Sequence, residues 1–180
     1  NKDKELTKAE YERLLTAAQQ RKNQQLYYLM QTICGCGIRV SELKHITYQS
    51  LVAGKAIINC KGKMRVVILQ KELCRMLINY AKSRNINEGS IFVTKSGKPL
   101  DRSNIWKMLK SLCESAGVSK DKVFPHNLRK LFARTFYCKE KDIAKLADIL
   151  GHSSINTTRI YIMTTGIEHR RKIERLGLIV

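Results

Sequence analysis

The sequence lacks the features that mark several protein classes. Its 180 residues include only two prolines and one tryptophan, and no low-complexity segment interrupts it. No run of 18 or more apolar residues is present, which excludes a membrane-spanning helix. The first residues, NKDKELTKAEYERLL, contain no apolar core, so no secretory signal is visible. A folded domain of ordinary size is the class that remains.

Cysteine is present, but not in the patterns that indicate disulfides or metal. The six thiols lie among apolar residues and include no C-x-x-C pair, which argues against a secreted disulfide scaffold and a structural zinc site. Reduced thiols in a cytoplasmic protein are expected. The residues concerned are Cys34, Cys36, Cys60, Cys74, Cys113 and Cys138.

Acidic residues are scarce relative to basic ones. Lys and Arg number 34 against 15 Asp and Glu, giving a formal net charge of +19. Residues 38–110 hold fifteen basic and four acidic residues, and residues 120–180 hold thirteen and six. The excess is therefore distributed along the chain rather than confined to a basic tail. This distribution indicates a folded surface that binds a polyanion such as nucleic acid.

Local patterns predict an α+β fold that is mainly helical. Thr7 and Glu10 have the spacing of a capping box, and the segments 56–60 and 66–69 read as a β-hairpin. A further strand near Leu51, turned by Gly54, would complete a three-stranded antiparallel sheet. A short strand is expected at 91–93. Helices are predicted from Thr7 to about residue 18, around 26–33, and over 71–84, 103–116, 126–137, 142–150, 157–161 and 168–175.

The segment Gly37-Ile38-Arg39-Val40-Ser41-Glu42-Leu43 places an arginine directly after a glycine-rich helix break. Glu42, three residues later, can hold the Arg39 guanidinium in place. Taken alone, the pair is more often a salt bridge on a solvated helix.

Three later motifs add candidate functional groups. In Pro125-His126-Asn127-Leu128-Arg129, the proline favours a helix start and the histidine and arginine share one face. Gly151-His152 ends a helix and exposes an imidazole, and Tyr161 follows nine residues later. A basic surface helix, an ordinary helix C-cap and a core tyrosine would give the same patterns.

Together and in this order, the motifs resemble the catalytic domain of the tyrosine recombinases. The resemblance covers nearly the whole chain and is carried by G-I-R-V-S-E-L, C-K-G-K, H-N-L-R, L-G-H-S-S and T-T-R-I-Y. It implies site-specific DNA recombination, as in integration or excision of a mobile element. Residues 1–180 would form a single catalytic domain with a C-terminal tail at about 164–180. The core-binding and arm-binding domains that precede this domain in the family are expected to be absent.

The resemblance also implies a role for each candidate residue. Tyr161 would attack the DNA phosphorus and form a 3′-phosphotyrosine, while Arg39 and Arg129 grip the phosphate. His126 would exchange a proton with the tyrosine and His152 would donate a hydrogen bond to the phosphate. These roles require no cofactor and no metal.

Two further residues complete the implied site. Lys61, on the hairpin, would be the general acid that protonates the departing 5′ oxygen. The hairpin turn is about one residue shorter than the common family form, so Lys63 remains open for this role. Glu42 would orient Arg39 without contacting the DNA.

The implied partner is a double-stranded DNA attachment site, with no membrane involved. A homo-oligomer on DNA, expected to be a tetramer, would form through the C-terminal tail, with a monomer as the alternative for the isolated domain. The protein would be cytoplasmic and bacterial or phage-encoded. Three other functions remain open from sequence: a type IB topoisomerase, a non-catalytic DNA-binding relative, and a helix-turn-helix regulator that uses residues 142–150.

Overall fold

The computed structural model describes residues 4–60, 62–162 and 166–179. Within these ranges, no helix is long and apolar enough to cross a membrane. The strands are β1 (Lys55–Cys60) and β2 (Lys63–Ile68). The helices are α1 (Lys8–Gln20), α2 (Gln24–Cys36), α3 (Tyr48–Ala53), α4 (Lys71–Ser83), α5 (Arg102–Ser111), α6 (Cys113–Ala116), α7 (Pro125–Glu140), α8 (Ile143–Leu150), α9 (Ile155–Tyr161) and α10 (Gly166–Glu174), with 3-10 helices at Val40–His45 and Lys120–Lys122.

The sheet has two strands, so the prediction of three strands is wrong. β1 and β2 pair antiparallel, from Lys55 opposite Ile68 to Cys60 opposite Lys63. The expected first strand near Leu51 is instead α3. Thr47 caps this helix, because its hydroxyl accepts a hydrogen bond from the Ser50 amide at 3.0 Å while Ser50 Oγ accepts one from the Thr47 amide at 2.9 Å. Local capping thus overrides the strand propensity of the Leu51 segment.

Three further predictions concern the first capping box, the strand at 91–93 and the cysteines. The capping box is confirmed: Thr7 Oγ1 accepts from the Glu10 amide, and Glu10 Oε1 accepts from the Thr7 amide. The strand expected at 91–93 makes only an isolated bridge between Val93 and Pro99. The five cysteines whose side chains are described are free thiols, as predicted.

The core forms two clusters, and the smaller one supports the functional end of the molecule. The larger cluster surrounds α2, where Leu26, Leu29, Met30 and Ile33 are fully buried. The smaller cluster joins α7, α8 and the end of α9 through buried side chains, with Tyr161 packed against it. Its buried members are Ala133, Leu146, Leu150 and Ile162. This packing fixes α9, and with it Tyr161, against α7.

The junction of α2 with α7 depends on one glycine. Gly37 ends α2 with φ at 72°, and a side-chain carbon at this position would lie 2.6 Å from the Phe132 ring. Both the left-handed backbone and the close contact require glycine here. The approach brings the start of the Arg39 segment next to the second turn of α7, which contains Arg129 and Phe132.

Candidate active site

Arg129 lies at the centre of the site and is almost fully buried, with 2% of its surface exposed. Its Nε donates to the Gly37 carbonyl at 2.7 Å, and its Nη2 donates to the Leu150 carbonyl. Its Nη1 is directed to the Tyr161 hydroxyl at 3.3 Å. Burial, followed by the charge of Arg39, lowers the pKa of Arg129 to about 10, so the guanidinium remains charged at neutral pH.

Tyr161 is the last residue of α9, and its hydroxyl is shared by two groups from α7. The hydroxyl oxygen lies 2.9 Å from His126 Nε2 as well as 3.3 Å from Arg129 Nη1. Burial, together with the positive charge of Arg129 and of further basic residues, lowers the pKa of His126 below 6.5. A neutral imidazole at this distance can accept the proton of the tyrosine.

His152 enters from the turn after α8 and also contacts Tyr161. Its ring packs edge-on against the tyrosine ring, with centroids 4.7 Å apart, and its Nε2 lies 3.5 Å from Arg129 Nη1. Its Nδ1 lies 2.8 Å from the hydroxyl of Thr158. Burial first, and the charge of Arg129 second, lower the pKa of His152 to about 4, so this imidazole is also neutral at pH 7.

Arg39 and Glu42 form the pair that the sequence predicts. The Arg39 amide donates to Glu42 Oε1 at 2.9 Å, and Arg39 Nη1 lies 3.4 Å from Oε2. About a third of the Arg39 side chain remains exposed, at 34%, which leaves its guanidinium accessible to a ligand. Burial alone would raise the pKa of Glu42, but hydrogen bonds from Arg65 and the Arg39 amide outweigh it and hold the pKa below its ordinary value.

Arg65, on β2, is a site residue that sequence reasoning missed. It binds Glu42 through two hydrogen bonds, Nη1 to Oε2 at 2.8 Å and Nη2 to Oε1 at 3.0 Å, and its Nε donates to the Ile149 carbonyl at 3.2 Å. A side chain on Gly151 would meet Arg65 at 2.8 Å, so the arginine packs directly over the turn that carries His152. The available signal was strand alternation, because Arg65 shares its face with the buried Val67.

Of the two hairpin lysines, only Lys63 can be placed. Lys61, the first choice for general acid, lies outside the described residues. Lys63 lines a cleft of about 960 Å³ together with Arg39, Arg65 and His152. An adjoining pocket of about 440 Å³ contains Arg39 and Arg129 with His126. The assignment of the general acid to Lys61 or Lys63 therefore stays a prediction.

The site brings together all the predicted residues that the structure describes. Arg39 lines both the cleft and the adjoining pocket, while His152 lines the cleft and His126 and Arg129 line the pocket. The Tyr161 hydroxyl lies within hydrogen-bond distance of His126 and Arg129, and the Glu42 carboxylate pairs with Arg39. In the described part of the chain, no cluster of three or more His, Cys, Asp or Glu has a geometry suited to a metal ion. Such a set of groups can bind a phosphodiester, neutralise its oxygens and present a nucleophile. The residues in question are Arg39, Glu42, His126, Arg129, His152 and Tyr161.

Comparison with known proteins shows which family the chain resembles over most of its length. The family described as the phage integrase family matches residues 4–166. The tyrosine recombinase XerH of Campylobacter jejuni is 36% identical over 74% of this chain and 39% of its own length. The tyrosine recombinase XerA of Thermococcus kodakarensis is 32% identical over 98% of this chain and 64% of its own.

Solved structures share the fold. A crystal structure of XerA recombinase superposes with a TM-score of 0.79 at 29% identity, covering 95% of this chain and 62% of that one. XerH bound to a palindromic difH substrate, in a post-cleavage complex, gives 0.78 at 25% identity, covering 98% and 52%. The chain thus spans between about two fifths and two thirds of the length of these relatives.

Proposed function

The chain belongs to the phage integrase family, and we propose that it carries out the DNA cleavage and rejoining steps of site-specific recombination through Tyr161. One observation carries this proposal: the Tyr161 hydroxyl lies within hydrogen-bond distance of both a neutral histidine and a buried arginine. A tyrosine with a purely structural role would not need two such partners.

The first step is attack by the tyrosine on a DNA phosphodiester. His126 Nε2 takes the phenolic proton as the Tyr161 oxygen bonds to phosphorus. The bond from phosphorus to the 5′ oxygen of the next nucleotide breaks, leaving a 3′-phosphotyrosine and a 5′-hydroxyl. Attack by a 5′-hydroxyl from another strand reverses this chemistry, so the phosphodiester is restored without an external energy source.

The surrounding cations stabilise the charge that develops on the phosphate. Arg39 and Arg129 can each donate to a non-bridging oxygen, and both remain charged throughout. Glu42 binds Arg39 and is itself held in place by Arg65. The departing 5′ oxygen takes a proton from a hairpin lysine, for which Lys61 is the first choice and Lys63 the alternative.

The DNA substrate is a double-stranded attachment site, and assembly on it is proposed to use the C-terminal tail. The tail exposes a set of apolar side chains that the described part of the chain does not cover, each more than 60% exposed. A second copy of the chain would bury them in a homo-oligomer, with a tetramer as the expected assembly on paired sites. The apolar residues are Ile173, Leu176, Leu178 and Ile179. We place this reaction in the cytoplasm of a bacterial host, where the DNA is.

The test is covalent capture on candidate attachment-site DNA with a nick just beyond the cleavage position, so that the short leaving strand diffuses away. Wild-type protein is expected to give a protein–DNA adduct on a denaturing gel. Tyr161→Phe should give none while still shifting the DNA on a native gel. Tyr137→Phe, which removes a hydroxyl from the neighbouring α7, is the matched control and should form the adduct normally.

An adduct in Tyr161→Phe would refute the assignment of the nucleophile. Capture without any joining of two duplexes would instead favour the type IB topoisomerase alternative, which nicks and closes a single duplex. DNA binding without capture in the wild type would favour a non-catalytic relative or a helix-turn-helix regulator. The names of the relatives favour recombination over these alternatives.

A further inference from the structure

Thr158 is a buried residue next to the site that no catalytic step uses. It lies on α9, one turn before Tyr161, and its side chain has no exposed surface. Its hydroxyl oxygen lies 2.8 Å from Nδ1 of His152. Thr158 thus links α9, which carries Tyr161, to Nδ1 of His152, a residue that lines the cleft.

The direction of this hydrogen bond can be deduced from the other threonines. A threonine in a helix commonly donates its hydroxyl proton to the carbonyl four residues earlier. Thr16, Thr32 and Thr135 do so, to the carbonyls of Glu12, Tyr28 and Leu131 at 3.1, 2.7 and 2.8 Å. Thr158 makes no such bond within the described ranges. Its proton therefore has one described acceptor, the ring nitrogen of His152.

A hydroxyl that donates to Nδ1 decides the tautomer of a neutral histidine. Nδ1 must then carry the lone pair and Nε2 the proton. The opposite tautomer would place a proton on Nδ1 and leave the buried hydroxyl proton of Thr158 without an acceptor, which is unfavourable.

In this tautomer, His152 Nε2 and Arg129 Nη1 are two neighbouring hydrogen-bond donors. Nε2 of His152 and Nη1 of Arg129 lie 3.5 Å apart, and two N–H groups cannot satisfy each other. An acceptor placed between them would satisfy both. A non-bridging phosphate oxygen is such an acceptor.

We infer that Thr158 is a positioning residue, which holds His152 in the tautomer that donates a hydrogen bond from Nε2 to the phosphate under attack. The inference rests on the proposed function for the identity of the acceptor. It explains how His152 can act as a donor without being charged, since burial and the neighbouring Arg129 disfavour the imidazolium.

The tautomer can be measured without any DNA. In protein with ¹⁵N-labelled histidine near pH 7, the two ring nitrogens of His152 report by NMR which one carries the proton. The signals are assigned by their loss in His152→Ala. Wild type and Thr158→Ser should show a protonated Nε2, whereas Thr158→Val, which keeps the shape but removes the hydroxyl, should show a shift toward protonated Nδ1. Thr157→Val, one residue away and exposed, is the matched control and should match wild type.

Cleavage rates test the consequence for the reaction. Thr158→Val should slow capture of nicked DNA by about tenfold or more, by analogy with the loss of a residue that orients a metal-ligating histidine. Thr158→Ser should restore most of the rate. In a His152→Ala background, Thr158→Val should have no further effect, because its influence passes through the imidazole.

Each outcome bears on a different claim. A protonated Nδ1 in the wild type overturns the inference, even if Thr158→Val does not fold. An additive loss of rate in the His152→Ala background would also overturn it and indicate a purely structural role. Failure of wild-type protein to form an adduct would count against the proposed function, while the NMR result would still decide the role of Thr158.

Discussion

Arg65 and Glu42 form a two-point ion pair across 23 residues of sequence, with N–O distances of 2.8 and 3.0 Å. Arg39 shares the same carboxylate, and the Arg65 Nε holds the last turn of α8 through the Ile149 carbonyl. The hairpin, the Arg39 segment and the turn before His152 are thereby tied at one point. Geometry at the phosphate should therefore depend on a residue that is not itself expected to touch it.

Arg65→Met should lower both stability and cleavage. The substitution leaves the largely buried Glu42 carboxylate with Arg39 alone, and breaking a buried pair from one side costs about 3 kcal/mol. Urea denaturation measures the first effect. The control is Glu42→Gln combined with Arg65→Met, which removes both charges and should be less destabilised than the sum of the single variants. Additive losses would show that the two residues do not act as a pair.

Arg39→Ala should reduce cleavage by about 10²-fold or more, by analogy with the loss of one transition-state donor. Arg39→Lys should recover only part of the rate, because an ammonium cannot make the paired hydrogen bonds of a guanidinium. Single-turnover capture on nicked DNA gives these rates. Arg21→Ala, an exposed arginine at the end of α1, is the control and should cleave at the wild-type rate. A loss of only a few fold in Arg39→Ala would reduce Arg39 to a surface charge.

Folding stability should decrease as the pH falls below the ordinary histidine range. His126 and His152 both have pKa values below 6.5 in the folded chain, that of His152 at about 4. As the pH falls through about 6.5, these histidines take up protons in the unfolded chain but not in the folded chain. Their contribution to stability is therefore complete above about pH 6.5 and is lost as the pH falls toward their lower pKa values in the folded chain. Urea unfolding at about pH 7.5 and about pH 5 should therefore give a smaller difference for His152→Ala than for wild type. An equal difference would show that His152 is not held neutral by the fold.

DNA binding should weaken steeply with salt. If about five phosphates are contacted, the slope of log affinity against log salt is about -4 or steeper. Fluorescence anisotropy over a salt series gives the slope. Lys63→Gln, in the cleft, should reduce its magnitude by about 1. Lys82→Gln, exposed on α4 and outside the lining of both the cleft and the adjoining pocket, should not. A flat dependence in the wild type would contradict the electrostatic interpretation of the +19 charge.

Deleting residues 167–180 should leave binding of a single site largely intact but impair assembly on paired sites and strand joining. The tail side chains Ile173 and Leu176 are 66% and 63% exposed, so Ile173→Ser with Leu176→Ser should have the same effect without shortening the chain. Native gels with one and two sites measure both steps. Normal assembly by the truncated protein would contradict a role in protomer contacts. Unfolding on truncation would indicate that the tail packs on its own domain.

Candidate site residues that belong to a short local motif could be predicted from the sequence. Residues whose role depends on contacts with distant parts of the chain could not. Arg129, His126 and Tyr161 could be found because each occurs in a short recognisable motif. Arg65 could not, because its partners Glu42 and Ile149 lie 23 and 84 residues away in the chain. Thr158 lies in the T-T-R-I-Y motif, in which only the tyrosine is a recognisable functional residue. Its partner is nearby in sequence, but its burial is set by tertiary packing.

The errors in the fold have a similar origin. The segment around Leu51 has strand-like composition, and the Thr47 and Ser50 cap that makes it helical is a weaker pattern than the Thr7 and Glu10 box. Ile91–Val93 is apolar enough for a strand, yet it finds only an isolated bridge at Val93. Strand formation requires a partner at the right register, which local sequence does not specify.

The buried position of Arg129 has a consequence for reading related sequences. Two of its hydrogen bonds go to the backbone carbonyls of Gly37 and Leu150, so the side chain fastens α7 to the end of α2 and the end of α8 without any contact to DNA. A descendant that abandoned catalysis would still gain stability from these two links. At the rim of the site, His126 and the hydroxyl of Tyr161 would be released from this requirement, while the Tyr161 ring would still pack against the smaller core cluster. Inactive descendants should therefore be recognised by loss of the rim residues, and retention of the buried arginine would carry no information about activity.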